Sequence, residues 1–148
     1  MNATILRFGY PATLIREYRH WLVLLRPSQP TLGSLVLAAK SDATAFAGLE
    51  PDAYTELGPI SRDIDAALAA AVDCAKLNYM MLMMVDPHVH FHVIPRYEGS
   101  RTFGTIDFPD VGWPKLPDLN AAVSLDDNAA QAVAAMLTSV WLNSQGGR

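Results

Sequence analysis

The sequence predicts an α+β fold: an antiparallel sheet with helices packed on one face. Three observations carry that reading. Residues 21–39 hold two apolar runs, "WLVLLR" and "LGSLVLAA", separated by the turn residues "PSQPT". Residues 76–96 hold a second pair, and the later half, "HVHFHVIPR", alternates strictly. The segment after each pair repeats apolar residues at three- and four-residue steps. Strand pairs joined by short turns make antiparallel sheets, and amphipathic helices cover them.

The elements follow in order. "TLIREY" (13–18) alternates weakly and is a first strand. The pair in 21–39 is a hairpin, with Pro27 and Pro30 keeping its turn out of the ladder. In "LEPDAYTELGPISRDIDAALAAAVDCAKL", Pro51 suits a helix start, where a missing N–H does no harm. Leu57, Ile60, Ile64, Leu68 and Val72 form one apolar face. Gly58-Pro59 is the place for a kink, or for a break into two helices. "KLNYMMLMMV" (76–85) is a strand, Asp86-Pro87 a turn, and 88–96 the returning strand. On that strand Val89, Phe91 and Val93 face one side; His88, His90 and His92 face the other. Residues 97–120 read as a long loop holding Trp113. Ser124 with Asp127 makes an N-cap pair for a last helix carrying Val133, Leu137, Val140 and Trp141; Gly146-Gly147 should fray.

With 148 residues the chain suits one domain, with a core over about 14–97 and a C-terminal loop and helix over about 98–145. Apolar residues make up 51%, a globular value, and the single cysteine, Cys74, fits a reducing compartment. The opening "MNATILRFGYP" lacks the pattern of a signal peptide, and no apolar run reaches membrane-spanning length, so a cytoplasmic protein without a membrane partner is expected. The net charge of −4, with no basic block, argues against a nucleic acid polymer as partner.

Three of the four histidines stand at every second position of "HVHFHVI". A solvated face does not explain three in register. One metal ion does not either: His88 and His92 lie about 13 Å apart along a flat strand, whereas ligand nitrogens sit about 2.1 Å from zinc. A histidine serving a serine or cysteine nucleophile needs one ring, and no such nucleophile motif is present. A histidine that is itself the nucleophile toward phosphorus explains all three. One neutral ring attacks while its neighbours donate hydrogen bonds to phosphoryl oxygens.

"HVHFHVI" followed by Pro95-Arg96 resembles the signature of the histidine triad (HIT) superfamily. The order of hairpin, helix, strand with Asn78 and triad strand extends the likeness over roughly 14–97. The resemblance implies a five-stranded antiparallel sheet and a homodimer with a ten-stranded one. It implies a nucleotide hydrolase or transferase of the dinucleoside polyphosphate hydrolase or nucleoside phosphoramidase kind, acting at the α-phosphate without an obligatory metal or other cofactor. His90 would be the nucleophile, forming a nucleotidyl-histidine intermediate; His88 and His92 would orient it and hold phosphate oxygens. Asn78 and Arg96 are expected to bind substrate, with His20 reaching in from a neighbouring strand end.

Two departures from the family pattern matter. Ser34 stands where a histidine is usual, so it is taken as the substrate-binding residue at that place. Met84 stands where a glutamine is usual, four residues before the first histidine, in a shortened loop. That loop helps protonate the leaving group. Asp86 lies near enough to replace it, although a turn residue before proline is the simpler reading. The alternatives to the enzyme are a non-catalytic nucleotide- or phosphate-binding protein and a metal-binding protein.

Overall fold

The computed structural model describes residues 1–144, so the expected fraying at Gly146-Gly147 lies outside the described residues. A short helix α1 (Ala3–Arg7) precedes strands β1 (Leu14–Glu17) and β2 (Trp21–Leu25), a two-residue strand β3 (Ser28–Gln29) and β4 (Leu35–Ala39). Then come α2 (Pro51–Val72), β5 (Lys76–Met80), β6 (His90–Arg96), β7 (Ser100–Phe103), β8 (Ile106–Pro109), the two-residue β9 (Val123–Ser124) and α3 (Asp127–Ser144). The main sheet has five antiparallel strands in the order β1-β2-β4-β6-β5, so the expected α+β class and strand count hold.

β2 and β4 are buried at every residue. They lie inside the sheet and are covered on both faces, which is why they read as continuous apolar runs rather than alternations. Trp21, Val23, Leu25, Leu35 and Leu37 meet α2 and α3 through Ile60, Ile64, Leu68, Val133, Leu137 and Trp141. Leu22, Leu24, Val36 and Ala38 face the other way, under Ile5 and Phe8 of the N-terminal segment. The two long helices share one face as expected; the one-turn α1 lies on the opposite face, the side of His90 and His92. Trp21 Nε1 donates to the Ala53 carbonyl at 2.8 Å, tying β2 to α2.

α2 runs unbroken through Gly58-Pro59. Pro59 lacks the N–H that would reach the Thr55 carbonyl, and Thr55 is exposed, so that carbonyl lies on the solvent side of the helix. The helix ends at Asp73, in the left-handed region at φ 51°. Arg101 closes that end, donating to the carbonyls of Val72 (2.7 Å) and Asp73 (2.9 Å), and so acts as a cap.

Other sequence expectations shift. The strand foreseen over 76–85 stops at Met80, and residues 81–89 form a loop. The stretch 97–120 is not all loop: β7 and β8 pair as a hairpin turning at Gly104, whose φ is 60°. The α3 N-cap is Asp126, whose Oδ1 accepts from Ala129 N at 2.7 Å. Ser124 instead pairs with Ser28 in the β3–β9 ladder. Gly33, at φ 89°, lets the β3–β4 turn pass close over Leu68 and Val72.

Arg96 and Asp110 make a buried two-point ion pair, Nε to Oδ2 at 2.8 Å and Nη2 to Oδ1 at 3.1 Å. Their side chains are 5% and 1% exposed. Beside them the Tyr97 hydroxyl donates to the Phe108 carbonyl (2.7 Å) and accepts from Leu32 N (2.8 Å), stitching β8 to the β3–β4 turn; burial pushes its pKa up to about 12. Asp110→Ala leaves the Arg96 charge buried without a carboxylate. It should lower the unfolding free energy by about 3–5 kcal/mol, seen as an earlier urea midpoint at unchanged slope. A midpoint equal to the wild type's would show that the pair does not support the fold.

Candidate active site

β6 places the histidines. Its period of two sends Val93 into the helix-side core, with Phe91 packed against it, while His90 and His92 point to the other face. In register, His90 stands opposite Ala38 and His92 opposite Val36. His88 is not in the strand, contrary to the sequence reading. The Val89 carbonyl still accepts from Ala39 N at 3.0 Å, but the Val89 N–H goes to the Ala43 carbonyl and the His88 N–H to Thr4 Oγ1 at 3.3 Å, so the chain leaves the ladder at Val89.

The three rings are held differently. His90 Nδ1 lies 2.7 Å from the His88 carbonyl. A carbonyl only accepts, so Nδ1 carries the proton and Nε2 keeps its lone pair. His88 Nδ1 lies 2.9 Å from Thr4 Oγ1, a contact in which either atom can be the donor. His92 Nδ1 is buried with no partner among the described residues. The His90 and His92 rings meet edge to face at 5.0 Å, and Phe8 packs on both, at 5.5 and 5.9 Å.

His90 and His92 are 2% and 7% exposed, yet both line a cleft of about 230 Å³. Its other walls are Phe8, Arg26, Leu119 and the loop 82–86. That volume lies below the ~300 Å³ at which whole-ligand pockets begin; it suits a phosphoryl group rather than an entire nucleotide. Asp86 joins the cleft to α1 through an ion pair with Arg7 at 3.2 Å. Among the described residues no three His, Cys, Asp or Glu side chains come together as a metal site.

The other expected site residues lie elsewhere. Arg96 and Asn78 share the histidine face but sit farther along it, where Arg96 Nη1 donates to Asn78 Oδ1 at 2.8 Å beside Asp110. Four residues of strand put Arg96 about 13 Å from His92. Ser34 is fully buried, and its hydroxyl donates to the Thr31 carbonyl at 2.8 Å, organising the β3–β4 turn. His20 occupies the β1–β2 turn, where its N–H donates to Glu56 Oε1 at 2.8 Å, and it lines a separate cavity with Leu49 and Ala53 of the helix side. None of the four reaches the triad cleft, because β-sheet register and turn bonding hold each one apart from it. Three residues that do reach the histidines were not anticipated: Thr4, Phe8 and Arg26. Arg26 had a faint signal, as the charge ending an apolar run two residues beyond Leu24; the other two had none.

No family model and no curated protein matches the sequence. Solved structures do match the fold. A histidine triad protein from Sinorhizobium meliloti superposes with a TM-score of 0.72 at 20% identity, covering 94% of each chain. A hypothetical histidine triad nucleotide-binding protein from Sulfolobus tokodaii gives 0.69 at 16% identity, over 95% of this chain and 90% of its own. A diadenosine triphosphate hydrolase from Plasmodium falciparum gives 0.67 at 9% identity, over 91% of this chain and 79% of its own. The chain has the histidine triad fold, as its motif implied.

Burial lowers the His92 pKa from its ordinary value to about 4, helped by His90 and Arg26 and opposed by Asp86. The ring is therefore neutral at pH 7. Because its pKa falls on folding, the unfolded chain binds more protons between about pH 4 and about pH 6.5. Stability is full above that window and declines as pH falls through it, by roughly 3 kcal/mol for a shift of this size. His92→Asn should flatten that slope in urea titrations run from pH 7 to pH 4. A slope unchanged by the substitution would assign the dependence to another group.

Proposed function

We propose that this protein is a nucleotide hydrolase or transferase acting at the α-phosphate of a dinucleoside polyphosphate or nucleoside phosphoramidate. The observation that carries the reading is the 2.7 Å hydrogen bond from His90 Nδ1 to the His88 carbonyl. It fixes the tautomer in which Nε2 is nucleophilic, and it holds the proton that the ring retains during attack.

In the first displacement the Nε2 lone pair forms a bond to the α-phosphorus. The bond to the leaving group breaks, and its electron pair departs with that group. The ring becomes a nucleotidyl-imidazolium, its proton still on Nδ1 and donated in a hydrogen bond to the His88 carbonyl. In the second, water or another acceptor hydroxyl attacks phosphorus, the P–N electrons return to Nε2, and the acceptor's proton passes to solvent. The ring of His92, which lines the cleft, serves as a donor to the phosphoryl oxygens as charge builds there, while His88, which is not among the walls of the cleft, acts through its carbonyl on His90 Nδ1. The cleft takes the phosphoryl group. The rest of the nucleotide lies over the rim, where Leu82, Met84 and Val85 are 51%, 83% and 72% exposed and offer apolar surface to a base.

The reading includes a homodimer. β5 is an edge of the five-stranded sheet, and a second copy paired there makes a ten-stranded one. It also places the protein in the cytoplasm with a small nucleotide as its partner. A non-catalytic nucleotide binder is the competing reading, favoured by the apolar character of residues 82–85, where the family's leaving-group loop would lie.

The test is turnover and trapping. Diadenosine tetraphosphate and adenosine phosphoramidate are incubated with the protein, and the quenched chain is mapped by mass spectrometry. An adenylyl group on His90 is expected, and His90→Ala should lower turnover by about three orders of magnitude or more while the chain stays folded. Reversible binding of both compounds with no adduct and no turnover would leave the binder.

A further inference from the structure

We propose that Arg26 is the phosphate-holding cation of the triad cleft, and that it selects substrates whose leaving group is an anionic phosphate over those that release an amine. The proposal rests on the nucleotidyl-transfer reading above and adds to it a residue and a preference.

Strand geometry delivers Arg26. Leu22 and Leu24 lie on the histidine face of β2, so the next residue of that phase, Arg26, falls on the same face. Leu25 pairs with Leu35, and Arg26 N donates to the Ser34 carbonyl at 3.1 Å, so Arg26 stands opposite Ser34. β4 separates β2 from β6, a gap of about 9–10 Å between strands. The Arg26 side chain crosses it to line the cleft with His90 and His92. Ser34 is small, and its hydroxyl turns back to Thr31, so it puts no bulk in that path.

The turn beneath is built to keep Arg26 in place. Gln29 is fully buried, donates to the Arg26 and Ser34 carbonyls (2.6 and 2.9 Å) and accepts from Gly33 N and Ser34 N (2.8 and 3.2 Å). Arg26 Nη1 donates to the Ser28 carbonyl at 2.5 Å, which aims the guanidinium. Its Nε is buried without a partner among the described residues, and none of their carboxylates makes an ion pair with it. A partly desolvated cation with a free donor gains most from a bound phosphate, which guanidinium meets with two parallel hydrogen bonds.

The leaving-group preference follows from what else lines the cleft. An amine leaves phosphorus readily only if its nitrogen takes up a proton. The loop walls are Leu82, Met83, Met84 and Val85, which donate none, and Asp86 is ion-paired to Arg7. A phosphate departs with its electron pair as an anion and needs no proton, only a compensating positive charge. Arg26 supplies that charge.

Two measurements test this. Wild type, Arg26→Gln and Arg26→Lys are assayed for kcat/KM on diadenosine tetraphosphate and on adenosine phosphoramidate, and for binding of inorganic pyrophosphate by calorimetry. Wild type should prefer the polyphosphate, and Arg26→Gln should cut the polyphosphate-to-phosphoramidate ratio by about tenfold or more and weaken pyrophosphate binding by a similar factor, with partial recovery in Arg26→Lys. A ratio and a pyrophosphate affinity that Arg26→Gln leaves unchanged, or a wild-type preference for the phosphoramidate, would overturn the proposal. Absence of turnover in wild type would count against the nucleotidyl-transfer reading, and the pyrophosphate binding comparison would still decide whether Arg26 holds phosphate.

Discussion

A single short hydrogen bond, from His90 Nδ1 to the His88 carbonyl, is the constraint around which the rest of the site is arranged. It uses the His88 carbonyl for the ring rather than for the sheet, although the next carbonyl, that of Val89, still accepts from Ala39 N of β4. It requires something to hold His88 outside the strand, and Thr4 does so from the N-terminal helix, through both the His88 ring and its N–H. It requires His90 to stay rigid, and β6 supplies that by pairing on both sides, with β4 and with β5. α1 is therefore part of the site as much as part of the fold. Asn2 anchors it to the carbonyls of Ala39 and Ser41, Arg7 to Asp86, and Phe8 to the two buried rings.

The arginines near β6 show how environment separates structure from chemistry. Arg96 is a buried cation with a complete shell: two bonds to Asp110 and one to Asn78. Its charge is neutralised inside the protein, and it joins β6 and β5 to the chain beyond β8. Arg26 is a partly buried cation with one carbonyl partner. Burial works against its charge, and no carboxylate offsets that effect. Of two similar side chains, the satisfied one belongs to the scaffold and the unsatisfied one faces the cleft. Its place directly after the motif marked Arg96 as a substrate residue in the sequence, and no motif there marked Arg26.

The neutrality of His92 has the same origin. Its ring is buried beside His90 and Arg26, so a proton there would sit close to other positive charge with little water to screen it. A neutral ring donates one hydrogen bond and repels no nucleophile, which suits a residue placed next to an attacking imidazole. Phe8, which packs on both rings, and the apolar residues Leu82 to Val85 line the cleft beside it.

What the amino-acid order determined by itself was periodic. Two continuous apolar runs marked strands covered on both faces, a three-four repeat marked α2, and strict alternation separated Phe91 and Val93 from His90 and His92. Such patterns are local, because backbone geometry alone converts spacing into facing. The shared phase of His90 and His92 and the sheet class were therefore legible. The positions of Thr4, Phe8 and Arg26 were not, and neither was the engagement of Asn78, Ser34, Arg96 and His20 elsewhere. Those depend on strand order and register, which bring residue 4 to residue 88 and lay β4 between β2 and β6. Long-range pairing decides which polar groups find partners, and a side chain's freedom to meet a ligand is what remains after that pairing is complete.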